Sequence, residues 1–463
     1  MRYVSTRGGI APVRFKDAVM MGLADDGGLL LPEDIPLVSA DELEAWRTLN
    51  YPELAFRIIS RFVDDIPAAD LKTLIDRSYA TFSHPEVAPV VHQDGVYILE
   101  LFHGVTLAFK DVALQFLGNL FEYILAERTQ RLTIVGATSG DTGSAAIHGV
   151  RGKAGISIFI LHPHGKTSPV QALQMTSVLD ENVHNIAIDG TFDDCQDIVK
   201  ALMADLEFKQ TYGLGAVNSI NWARVLAQVV YYFYAWCRVA KPGQKVVFSV
   251  PTGNFGDIFA GYIAWQMGLP IEKLLLATNE NNILTRFIND GDYSVGAVVQ
   301  TLSPSMDIQI ASNFERYLYY LFNKDAGRVR SAFDQLKNED KISFSTQELE
   351  QVKRVFSSCS IGRRETLDTI SDFRKKTGYL LDPHTAVGVR AAQKIASDEV
   401  PRICLATAHP AKFGEAVTEA TGEQVPLPSA IARLEGAPTR CDQLPADKER
   451  VRRLIIATVE PVR

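Results

Sequence analysis

The chain has 463 residues, about three domains' worth of length. Its 47 lysines and arginines against 55 acidic residues leave a formal charge of −8, which argues against a nucleic-acid binder, because such proteins need a cationic face for the phosphates. Apolar residues make up 46% and charged residues 22%, as in ordinary globular proteins, and five scattered cysteines without a C-x-x-C pair form neither a disulfide framework nor a zinc ribbon.

Met1 to Gly8 is polar and carries Arg2 and Arg7 with no apolar stretch behind them, so no signal peptide is expected. Residues 1–95 read as a mainly helical module. Ser39-Ala40-Asp41-Glu42 is a capping box, Pro52 suits a first helical turn, and Ala69 to Phe82 has helical spacing. From 96 the pattern becomes strand, Gly-rich turn, helix. The expected strands are Val96–Leu101, Leu132–Gly136, Ile156–Leu161, Val183–Ile188, Val246–Val250 and Arg402–Thr407. Strands alternating with helices imply parallel sheet and an α/β fold. The longest apolar run, Val225 to Cys237, is broken by Gln228 and too short to cross a bilayer. Its aromatic residues Tyr231, Tyr232, Phe233, Tyr234 and Trp236 suit helix packing. The expected division is 96–240 and 241–430 as two α/β domains, a helical insertion over 310–380, and a surface tail over 431–463. A cytoplasmic protein with no membrane partner is expected, and nothing in the sequence sets an oligomeric state.

Three loops carry chemistry. Thr138-Ser139-Gly140-Asp141-Thr142-Gly143 follows a strand and opens a helix, whose free amide groups favour an anion. Pro251-Thr252-Gly253-Asn254-Phe255-Gly256-Asp257 does the same, without the Gly-Lys-Ser/Thr ending of a Walker loop and without G-x-G-x-x-G. Each alone reads equally well as a tight βα turn with a polar cap. The third, Leu101 to Asp111, places Lys110 at the start of an amphipathic helix, flanked by Leu107, Phe109 and Val112. An isolated lysine there is usually a surface residue. Burial and the positive helix end would instead penalise its charged form and free an amine for Schiff-base chemistry. Together, a reactive lysine and two anion cradles match pyridoxal phosphate and an amino-acid carboxylate.

Across nearly its whole length the sequence resembles the threonine synthase family of fold type II pyridoxal phosphate enzymes. The resemblance is carried by GLADDGGLLLPEDIP at 22–36, LFHGVTLAFKD at 101–111, ATSGDTG at 137–143 and HPHGKTSPVQ at 162–171. It continues through NSINWAR at 218–224, PTGNFGD at 251–257, DPHTAVG at 382–388 and TAHPAKF at 407–413. Val105 stands where the family often has proline, and His164 where it often has arginine.

The resemblance implies two parallel-sheet α/β domains with helices on both faces. It implies that Lys110 binds the cofactor covalently, that Gly253, Asn254, Phe255, Gly256 and Asp257 hold its phosphate, and that Thr385 faces the ring nitrogen. Ser139, Gly140, Asp141, Thr142 and Gly143 would hold the substrate's carboxylate, and Lys166, Ser168 and Arg224 its phosphate. His103, His384 and His409 would line the site, with no metal. The implied reaction converts O-phospho-L-homoserine and water to L-threonine and phosphate, Lys110 moving the protons. Elimination of phosphate without hydration, by a related phospho-lyase, is the alternative, and a non-catalytic relative is a third.

Overall fold

The computed structural model describes residues 1–217, 219–395 and 399–462. Asn218, the first residue of the 218–224 motif, lies outside them. Two parallel sheets organise the chain. The larger has six strands in the order Phe356–Ser360, Ile271–Thr278, Val246–Pro251, Arg402–Ala406, Val96–Glu100 and Val90–Gln93, with only the last pair antiparallel. The smaller has five, in the order Asp442–Pro445, Val183–Asp189, Ile156–Pro163, Leu132–Ala137 and Leu214–Gly215, all parallel. The central strands are apolar runs because helices cover both faces; all six residues of Val246–Pro251 are buried. Helix Trp222–Val239 is buried from Trp222 through Cys237, and its aromatic stripe packs as expected.

Local signals hold where the chain talks to itself. Ser39 and Glu42 form the capping box, and Pro52 sits in the first turn of helix Tyr51–Ile59 behind its cap Asn50. The divisions between units differ from expectation. Strand Val96–Glu100 belongs to the larger sheet, so the chain passes through that sheet before it builds the smaller one. Residues 310–380 are not a wholly helical insertion, because Phe356–Ser360 forms the larger sheet's outer strand. The segment from 431 is more than a surface tail. Asp442–Pro445 extends the smaller sheet, and helix Lys448–Thr458 buries Val451 and Ile455 beside Cys195 and Ile198. Both strands lie at sheet edges and are polar, so they lack the apolar signature of their inner neighbours.

The N-terminal module is fastened to the larger sheet's domain by Arg316, on helix Phe314–Leu321, whose side chain is fully buried. Its Nε and Nη2 donate to the carbonyl of Leu30 at 3.1 and 3.0 Å, Nη2 also reaches the carbonyl of Ile220, and Nη1 donates to Asn313 Oδ1. Glu315 alongside accepts from Arg7 Nη2 at 3.0 Å and from the Thr6 hydroxyl. Replacing Arg316 by leucine leaves these buried carbonyls unpaired, at a cost of about 1–3 kcal/mol per lost partner. R316L is therefore expected to lower the urea midpoint of unfolding by an amount equivalent to about 2–4 kcal/mol, and an unchanged midpoint would contradict this role.

Candidate active site

Parallel strands of both sheets end at one cleft of about 440 Å³, large enough for a cofactor and a small substrate. Its walls are Phe109 and Lys110, the loop 137–142, the loop 251–255 with Asp257, segment 304–308, His384, and Thr407 with Ala408. Ligand sites of open α/β sheets lie at such strand ends, where the loops face outward.

Lys110 begins helix Lys110–Arg128, and the preceding turn sets it half-buried at the cleft wall. Leu107 takes a left-handed φ of 60°, the Phe109 amide donates to the Thr407 carbonyl at 2.9 Å, and the His409 amide to the Leu107 carbonyl at 3.0 Å. Thr106 seals the turn: its amide and hydroxyl donate to the buried Asp111 carboxylate at 2.7 and 2.9 Å. Burial pushes the Asp111 carboxyl up to about 6. The Lys110 amine is depressed below its ordinary value, first by burial and then by the charges of Lys412 and Arg224, with Asp141 opposing. Its Nζ lies 3.7 Å from Asp141 Oδ2.

The loop 138–143 is tied by Thr138, whose hydroxyl accepts from the amides of Gly140 and Gly143 at 3.0 and 2.9 Å. Gly140 has a φ of 152°, and a Cβ there would lie 2.3 Å from Gln171. Ser139 and Thr142 reach the cleft, while Gly140 and Gly143 shape the turn behind it. Asp141 departs from expectation. Its carboxylate is turned to Lys110, to Lys412 Nζ at 2.9 Å and to Gln171 Nε2 at 2.7 Å. These partners hold its carboxyl well below the usual range in spite of burial. A carboxylate so placed repels a second one, so only the amide groups of this helix start suit a substrate carboxylate.

In the loop 251–257, Phe255 adopts a left-handed φ of 65°, which costs a bulky residue about 1–3 kcal/mol and persists only where packing enforces it. The ring is buried against Phe314, Tyr317 and Phe356, with centroids 5.5, 5.6 and 5.9 Å away. Asn313 donates its amide to the Asn254 carbonyl at 3.0 Å, and Asn254 Oδ1 caps the Gly256 amide at 3.0 Å. Helix Gly256–Gln266 starts here, so the amides of its first turn are available to an anion. The Asp257 carboxylate is engaged on the side away from the helix start. It accepts from the Tyr231 and Tyr232 hydroxyls, and burial raises the carboxyl to about 6.

Four other expected residues fall in different settings. Thr385 is buried with its hydroxyl donating to Asp382, so its oxygen has only lone pairs left, and the cleft wall beside it is His384. His384 Nδ1 is 2.9 Å from Asp382 Oδ1, and its Nε2 accepts from the Ser305 amide at 3.3 Å. Ser168 caps helix Pro169–Thr176 and is bound to Gln171, which removes it from the cleft. Lys166 is exposed, on a loop near Asp194. Arg224 is buried, with Nη1 unpartnered and no ion pair among the described residues. Burial lowers its guanidinium to about 10. His103, paired with Glu100 at 2.7 Å, lies outside the cleft wall, and so does His409, packed on Phe102. Lys412 is missed by sequence reasoning, although the motif at 407–413 contains it and is the signal that could have found it. No group of three metal-ligating side chains occurs among the described residues.

A half-buried amine, a free helix start and a second helix start around one cleft form a donor set that fits pyridoxal phosphate. Comparison with known proteins agrees. Residues 2–79 match the family model "Threonine synthase N terminus", 82–342 match "Pyridoxal-phosphate dependent enzyme" and 385–455 match "Threonine synthase, C-terminal". A threonine synthase of Pseudomonas aeruginosa is 48% identical over 459 residues, 98% of each chain. The chain belongs to the threonine synthase family. A threonine synthase of Saccharomyces cerevisiae is 50% identical, over 88% of this chain and 86% of that one. The crystal structure of a PLP-bound threonine synthase from Brucella melitensis superposes with a TM-score of 0.97 at 48% identity, covering 99% of both chains. Family membership makes this a fold type II enzyme with pyridoxal phosphate as cofactor.

Gly253 tests the cradle. A Cβ there would lie 2.9 Å from the Ser305 carbonyl and 3.0 Å from Met306 Cα, both backbone. The covering segment must shift, so G253A is expected to weaken pyridoxal phosphate binding about tenfold or more, a loss of about 1.4 kcal/mol. Fluorescence titration of the cofactor-free protein measures it; an unaltered Kd would show that the segment yields freely.

Proposed function

We propose that the chain converts O-phospho-L-homoserine and water to L-threonine and phosphate. The observation that carries this is the match to threonine synthases along the whole chain, together with a half-buried Lys110 in a cleft of this donor set. Five free cysteines suit a reducing compartment, and we place the enzyme in the cytoplasm. Among the described residues no helix is long and apolar enough to cross a membrane.

When bound, the cofactor supplies an electron sink for the carbanion left at the substrate's Cα. Proton movement falls to Lys110. Burial works against its ammonium form, and its place at the cleft lets one Nζ serve Cα, Cβ and Cγ in turn. The helix start at 141–150, with Ser139 and Thr142, receives the substrate's carboxylate. The first amides of helix Gly256–Gln266 receive the cofactor's phosphate. We assign the substrate's phosphate to Arg224, and not to Ser168 or Lys166, because Arg224, although behind the cleft wall, is a buried cation with an open donor whose charge acts on Lys110. An uncompensated buried charge costs stability and is tolerated where a ligand supplies its partner.

R224L removes that cost. It is expected to raise the thermal midpoint of the cofactor-loaded protein while lowering kcat/KM for the phosphorylated substrate about 100-fold or more, about 2.7 kcal/mol of transition-state binding. A fall in both would assign Arg224 to the fold alone. The reaction itself is checked by quantifying phosphate, threonine and 2-oxobutyrate together. Equal phosphate and threonine are expected, and K110A should release none while keeping its far-ultraviolet circular dichroism. Phosphate with 2-oxobutyrate would replace the synthase with a phospho-lyase.

A further inference from the structure

Lys412 is a second lysine beside Lys110, and its side chain is wholly buried. An ammonium has three protons, and this one meets three acceptors: the Thr106 carbonyl at 2.6 Å, Gln174 Oε1 at 3.1 Å and Asp141 Oδ1 at 2.9 Å. It is therefore held in place and fully satisfied. The other oxygen of Asp141 faces Nζ of Lys110 at 3.7 Å. Lys412, Asp141 and Lys110 thus form a line of alternating charge into the cleft floor, with Gln171 fixing the middle member. The remaining charged or titratable groups that act on it are few. Arg224 faces Lys110, while Asp111, His148 and His409 sense Lys412.

The cleft accepts an anionic cofactor and an anionic substrate. A lone buried carboxylate beside them would repel both and would take up a proton on desolvation. A buried lysine bound to that carboxylate removes both problems. Removing one member of such a pair leaves the other uncompensated.

We propose that Lys412 is a positioning residue for the reaction: it holds Asp141 as an anion against Nζ of Lys110, and Asp141 thereby keeps the proton on that nitrogen when the cofactor is joined to it. The inference rests on Lys110 as the attachment point. A protonated nitrogen makes the linkage open to an incoming amine, so the pair prepares the enzyme for substrate.

The test is a pH titration of the holoenzyme's absorption. A cofactor joined to lysine absorbs in the visible when the nitrogen is protonated and in the near ultraviolet when it is not. As a bare nearby cation, Lys412 would hold the midpoint down, and its removal would raise it. Acting through Asp141, its removal lets that carboxyl take up a proton. K412M is then expected to lower the midpoint by about one pH unit or more, and K412R to keep it within about half a unit of the wild-type value. D141N removes the carboxylate directly and should lower the midpoint likewise, with D141N/K412M lying no lower than D141N. A midpoint that rises or stays in K412M overturns the proposal. If K412M does not hold cofactor, an unmoved midpoint in D141N, or a double variant below D141N, overturns it. Failure of the underlying reading looks different, since the visible band would then survive in K110A.

Discussion

The site depends on the electrostatic balance around one lysine amine at the cleft. Burial penalises the ammonium form of Lys110, and two further cations, Lys412 and Arg224, press in the same direction. Asp141 pulls the other way at 3.7 Å. The balance lowers the amine below an ordinary surface lysine while leaving it at the cleft wall. It also explains why the polar residues nearby are spoken for. Thr106 closes on Asp111, Thr138 ties its own loop, and Gln171 holds Asp141. Loose polar groups at this depth would offer alternative partners and blur the placement of Nζ.

The phosphate cradle makes a different demand. Phe255 must remain left-handed, and the local bond from the Gly256 amide to Asn254 Oδ1 is only part of what holds it so. Further enforcement comes from Phe314, Tyr317 and Phe356, far along the chain, and from Asn313 holding the Asn254 carbonyl. Asn313 is in turn held by Arg316, whose other hydrogen bonds reach Leu30. A line of contacts therefore runs from the N-terminal module to the loop 251–257, proposed to receive the cofactor's phosphate. The module and the 310–360 segment serve as scaffold for the cleft, which gives a physical reason for catalytic and accessory segments to sit in one chain.

Much of this architecture is legible in the amino-acid sequence. The inner strands stand out as apolar runs because helices cover both their faces, and the glycine loops because tight βα turns demand those residues locally. Lys110 is legible through its apolar neighbours and its place at a helix start. The outer strands Phe356–Ser360 and Asp442–Pro445 are not, since an edge strand needs no apolar run. The site residues that mislead share one cause. Ser168, Asp141 and Asp257 sit in the right segments, but each side chain points to a partner distant in sequence or to its own helix cap. Thr385 likewise gives its proton to Asp382.

Segment identity and loop chemistry are local matters, set by which dihedral angles, caps and apolar faces a short stretch can satisfy by itself. These the sequence determined alone. Tertiary structure decided which charges meet. Lys412 and Lys110 are about three hundred positions apart, yet both reach Asp141, and Arg224 ends buried without a carboxylate among the described residues. Electrostatic energy depends on distance through space and on burial, and neither is encoded in spacing along the chain. The sequence could therefore name the reactive amine, while only the fold could show what tunes it.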